Sequence, residues 1–155
     1  MTTQSTPITR SMATSAGTES ANAVQGVTVL LGRFLFALIF LMSGPTHFSK
    51  QAIGYAASQG VPLASIVVPF SGLLALAGGL SILLGYRAKL GAWLIVLFLI
   101  PVTLMMHKFW TVSDPMAQQV QMIMFMKNVS MLGGALLISQ FGAGPFSLDR
   151  RRSRG

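Results

Sequence analysis

Residues Leu94 to Pro101 read LIVLFLIP, an uncharged stretch in which apolar and polar positions do not alternate. A half-buried strand alternates with a period of two, and a transmembrane barrel needs segments of about 10 residues built that way. The stretch sits inside a longer uncharged run, Leu90 to Met106. A helix needs about 20 apolar residues to cross a hydrocarbon core of about 30 Å, and only helices or closed barrels satisfy their backbone there. Three further segments read the same way: Val27 to Ser43, interrupted by Arg33; Ile66 to Gly85, uncharged; and Gln118 to Ser139, which contains Gln121, Lys127 and Asn128. The chain therefore reads as all-α, a polytopic membrane protein with a four-transmembrane-helix bundle spanning residues 27–43, 66–85, 90–106 and 118–139.

Composition agrees. Of 155 residues, 52% are hydrophobic and 9% charged, against about 25% charged in an average soluble domain. A soluble domain of this size would still expose about 30% of its chain surface, so a soluble globule is excluded. The absence of Cys excludes disulfides, thiolate metal sites and thiol relays.

The formal charge is +8, but the basic residues flank apolar runs instead of clustering among aromatics, so no nucleic-acid partner is expected. In a four-pass chain Arg10, Arg87, Lys89, Arg150, Arg151, Arg152 and Arg154 fall on one side, and Lys50 and Lys108 on the other. The positive-inside rule then places both termini in the cytoplasm, with Arg87 and Lys89 as topology determinants. Residues 1–26, rich in Ser and Thr, read as a disordered cytoplasmic tail without a signal-peptide cleavage pattern. The membrane domain covers 27–141, and 142–155 form a basic cytoplasmic tail resting on anionic lipid. In the first outer loop, Phe48 to Ser58 predict a short amphipathic helix stopped by Gly60 and Pro62, with Phe48, Ile53 and Tyr55 as its apolar contacts.

Small residues let membrane helices approach, and Gly72, Ala75 and Gly79 form such a stripe. On the fourth span, Lys127, Ser130 and Gly134 share a face, which predicts that Lys127 turns into the bundle. It lies about 14 Å inside the outer end of its helix, near the bilayer centre, where a charge costs about 2.5–3.5 kcal/mol and marks a functional candidate. No span offers it a carboxylate. Gln121, Asn128, a proline-freed carbonyl at Pro69 or Pro101, a ligand or another subunit remain as partners. Arg33, closer to the cytoplasmic edge, is expected to snorkel to the headgroups.

His47 and His107 end the first and third spans on the same side. With Lys127, Gln121, Asn128, Trp110 and Asp114 they make the densest polar and aromatic set available at one depth. Imidazole exchanges hydrogen bonds and protons with carbonyls and hydroxyls, as a quinone headgroup requires. Interfacial packing without a ligand is the plainer reading. Bis-His haem or copper ligation lacks a spacing motif, and no metal site is assigned. Met122 and Met126 face opposite Met124, which favours lipid contact over Cu(I). No activated Ser/His/Asp set, phosphate loop or carboxylate pair is visible, so the catalytic residues, if any, are unassigned.

The ordered segments GRFLFALIFLMSGPTHF (Gly32 to Phe48), YAASQGVP (Tyr55 to Pro62), GGLSILLGYRAKLGA (Gly78 to Ala92), MHKFW (Met106 to Trp110) and FMKNVSMLGGALL (Phe125 to Leu137) resemble the DoxX family of small four-helix membrane proteins. The resemblance covers about residues 26–149. It implies a protein of the bacterial inner membrane, an accessory or quinone-contacting subunit of a membrane redox complex. Where many members carry an acidic residue before the GG pair, this chain has Ala75. The rival readings are a non-catalytic assembly or scaffold partner, working with other subunits or as a homo-oligomer, and a small-solute carrier.

Overall fold

The computed structural model describes residues 7–152, with side chains from residue 22 onward. In chain order it contains α1 (Pro7–Ser43), a 3-10 turn (Gly44–Phe48), α2 (Lys50–Ser58), α3 (Ala64–Leu84), α4 (Ala88–Met106), a 3-10 turn (Phe109–Thr111), α5 (Pro115–Phe141) and α6 (Leu148–Arg152). No strand occurs among the described residues. Among the described residues, four segments are long and apolar enough to cross a membrane: Asn22–Phe48, Ala64–Leu84, Ala88–Thr111 and Pro115–Phe141. Side chains such as Leu35, Met42, Ile66, Leu97 and Leu137 stand exposed around them, a surface suited to lipid.

Local signals set the boundaries. The α2 helix starts where the Ser49 hydroxyl accepts from the Ala52 N–H at 3.1 Å. Pro115 opens α5, and the Asp114 carboxylate accepts from the Ala117 N–H at 2.7 Å. Gly85, at φ +65°, closes α3 with Tyr86 N–H bonded back to Ser81 O at 3.1 Å. At the amino end, α1 begins at Pro7, whereas composition predicts disorder through residue 26. Pro at the first helical position does not obstruct a helix, and no later proline interrupts this one. Residues 1–6 of that tail and Arg154 of the basic tail lie outside the described residues.

The α3 helix packs between α1 and α4, and α5 lies on α4. Glycines permit it. A Cβ at Gly72 would stand 2.8 Å from the His47 Cβ, one at Gly79 3.2 Å from the Phe40 Cβ, and one at Gly78 2.8 Å from Gly91 O. The small stripe is therefore covered by α1 and its 3-10 turn, and Phe40, Ala75, Ile82, Ile95 and Leu99 form the core beside it. The outer helices α1 and α5 approach at Phe36 and Gly134, where an added Cβ would lie 2.9 Å from the Phe36 ring. Over α3, α2 is held by Ala52, Ile53 and Ala56 against Ala64 and Val68.

Arg33 does not snorkel. It is 4% exposed, and its guanidinium is held by backbone carbonyls. Nε donates to Ile82 O at 2.9 Å, Nη2 to Leu83 O at 2.7 Å, and Nη1 to Ala143 O at 2.6 Å and Phe146 O at 2.8 Å. Ile82 O also accepts the Gly85 N–H at 3.2 Å, and the planar fork meets all four carbonyls, from the end of α3 and the segment after α5, at once. Beside it, Asp149 accepts from the N–H groups of Arg87 (2.6 Å) and Ala88 (3.0 Å), while its own N–H donates to Gly85 O at 2.8 Å. The carboxylate from α6 thus caps α4, and the tail after α5 is strapped to the α3–α4 turn.

Candidate ligand-binding site

Beyond the contact at Phe36 and Gly134, α1 and α5 leave a cavity of about 250 Å³ backed by α4. Its walls include Phe40 and Ser43 of α1, Phe98 of α4, and Asn128 of α5, together with His47, Tyr55, His107 and Lys127. Below lies an aromatic ladder. Phe36 and Phe40 are 5.3 Å apart by ring centroids, Phe40 meets Phe98 edge-on at 6.1 Å, and Phe98 meets the His47 ring at 5.6 Å.

Each histidine is tethered by one nitrogen. His47 sits in the 3-10 turn with Nδ1 3.0 Å from Ser43 O, and His107 follows α4 with Nδ1 2.9 Å from Gln121 Oε1. The Ser43 carbonyl only accepts, so His47 Nδ1 donates to it and, in the neutral ring, Nε2 offers its lone pair, while His107 Nδ1 is held by the Gln121 amide. Gln121 is thereby a positioning residue, holding His107 from α5.

Asn128 is 5% exposed and lines the cavity, yet its amide has no hydrogen-bond partner among the described residues. Lys127 is exposed, where the small-residue stripe predicted that it turns inward. Its Nζ lies 3.4 Å from Met124 Sδ, at the cavity's rim. The buried face of α5 runs through Asn128, Ala135 and Ser139. That face is rotated by one residue, about 100°, from the predicted one. Ala135 and Ser139 are small and buried, so they supply a second stripe suited to close packing.

Of the seven candidate residues, His47, His107, Lys127 and Asn128 share the cavity, and Gln121 holds one of them. Trp110 and Asp114 stand apart from it. Trp110 joins an aromatic trio with Phe109 (5.1 Å) and Phe125 (5.9 Å), and the Asp114 side chain is used as the α5 cap. Tyr55 also lines the cavity, and sequence reasoning assigned it only to packing. It also borders, with His47, Val102 and Met106, an adjoining cavity of about 150 Å³ whose other walls include Val68, Pro101 and Met105. The signal for Tyr55 was its place on a short helix beside His47 in the chain.

Two relatives bear on identity. Inner membrane protein YqjF of Escherichia coli (strain K12) is 32% identical over 133 residues, which cover 82% of this chain and 93% of that protein. Inner membrane protein YphA of the same organism is 30% identical over 134 residues, covering 83% and 93%. No solved structure matches. With four spanning helices, these relatives support an integral inner-membrane protein. The matching family model is SURF4, over residues 9–154, which overturns the resemblance to the DoxX family. Glycine pairs and apolar runs answer the packing demands of any small membrane bundle, so the motifs behind that resemblance report the architecture more than the lineage. Matched along nearly its whole length by that model, the chain belongs to the SURF4 family.

Proposed function

We propose that this inner-membrane protein binds the ring of a quinone or quinol in the cavity between α1, α4 and α5, as an accessory or quinone-contacting subunit of a membrane redox complex. The observation that carries the reading is Asn128, whose side-chain amide opens onto the cavity without a protein partner among the described residues. A ligand carbonyl or hydroxyl entering the cavity would supply the partner that the protein does not. Around it, His47 offers an Nε2 acceptor for a hydroxyl, His107 offers its other ring nitrogen, and Lys127 offers a donor at the rim. The adjoining apolar cavity behind Tyr55 suits the start of an isoprenoid tail. The same groups bind and orient a ring in either redox state, and no residue is assigned a catalytic step.

A second reading, a non-catalytic assembly partner, draws on Lys127 alone. Its ammonium has only a thioether beside it, so a carboxylate from another subunit would pair it. One experiment separates the two. The protein is purified in mild detergent, and co-purifying small molecules and proteins are identified for wild type, His107→Ala and Lys127→Met. Bound quinone lost in both variants supports the first reading. Protein partners without quinone, lost only with Lys127→Met, support the second and sink the first.

A further inference from the structure

We infer that the opposite end of the bundle holds one anionic phospholipid, its phosphate on Arg151 and an acyl chain along Leu30, Leu84 and Leu148. A groove of about 520 Å³ runs there between α1, the end of α3 and α6. It shares no lining residue with the histidine cavity. Its walls combine exposed apolar side chains, Leu30 and Leu84 among them, with Arg150 and Arg151 on α6.

The charges are arranged for an anion. Asp149, the acid next to these arginines in sequence, turns away and spends both oxygens on the N–H groups of Arg87 and Ala88. No carboxylate lines the groove among the described residues. Arg33 forms part of its floor, but four of its five N–H donors are held by carbonyls. The Arg151 guanidinium has no protein partner among the described residues. A guanidinium fork matches phosphate oxygens two at a time. A free phosphate would leave the leucines beside it unused, whereas a phospholipid fills both halves. This goes further than a basic tail resting on lipid: it assigns one lipid to one groove.

The test is native mass spectrometry of the full chain in mild detergent with added phosphatidylglycerol, phosphatidylethanolamine or inorganic phosphate. Wild type should retain one phosphatidylglycerol in preference to phosphatidylethanolamine, and inorganic phosphate should not displace it. Arg151→Gln should weaken retention about five-fold, as expected for one basic residue near an anionic surface. Leu84→Trp and Leu148→Trp, which fill the groove without changing charge, should weaken it similarly, and His107→Ala should not. Equal retention of the two lipids, or undiminished retention in Arg151→Gln, would overturn the assignment. Displacement by inorganic phosphate would reduce the site to an anion contact and overturn it as well.

Discussion

Arg33 and Asn128 are both polar residues inside apolar helices, and their surroundings give them opposite roles. Arg33 uses four of its five donors, joining α1 to carbonyls 49, 50, 110 and 113 residues away in the chain. Arg33→Leu should cost about 2–4 kcal/mol by orphaning those carbonyls, and Arg33→Lys should cost roughly half of that, because it keeps the charge without the fork. Thermal unfolding in detergent reads both; a Leu variant as stable as wild type would contradict the carbonyl cage. Asn128 is unemployed in the protein alone. Asn128→Leu should therefore leave the unfolding midpoint unchanged or raise it, while removing the retained ligand. A large loss of stability would assign Asn128 to structure instead. From sequence, both residues were legible as anomalies of span composition. Their partners were not, because a backbone carbonyl carries no residue identity and Arg33 reaches across the fold for all four.

Elements were read well where hydropathy and turn chemistry agree. The uncharged runs became α3 and α4, and Gly60 with Pro62 ended the short α2 as their chemistry dictates. The rotation of α5 was less legible. Choosing a face from Lys127, Ser130 and Gly134 weighed small residues on one stripe, while Ala135 and Ser139 supplied an equally small stripe beside it. The cap of α4 was hidden for another reason: Asp149 lies more than 60 residues beyond it. Asp149→Ala should cost about 1–2 kcal/mol by exposing the first N–H groups of α4. Gly85→Ala should cost about 2 kcal/mol, since it strains a left-handed residue and brings a Cβ within 2.6 Å of the Ser147 Cβ. Unfolding midpoints should fall for both, and unchanged midpoints would show that the strap adds nothing to the bundle.

Across the whole molecule, two ends of different chemistry face each other along the helices. One gathers Arg33, Arg87 and Arg150 to Arg152 around the strap; the other carries His47, His107 and the mouth of the cavity. From the basic count we propose that the first end faces the cytoplasm. Cysteines introduced at Ser58 and Ser113 should then react with an impermeant maleimide in intact spheroplasts, and labelling only after lysis would invert the topology. The lineage was the least legible feature at this scale, because short packing motifs recur across small membrane bundles.

The central claim is that a quinone ring sits against Asn128 and the two histidines. A photoreactive quinone, cross-linked to the purified protein and mapped by peptide mass spectrometry, tests it directly. Adducts should concentrate on the segments bearing His47, Tyr55 and Asn128 and fade in Asn128→Leu. Adducts spread over the lipid-facing surfaces of α1, α3 and α4, and unaffected by that substitution, would contradict it.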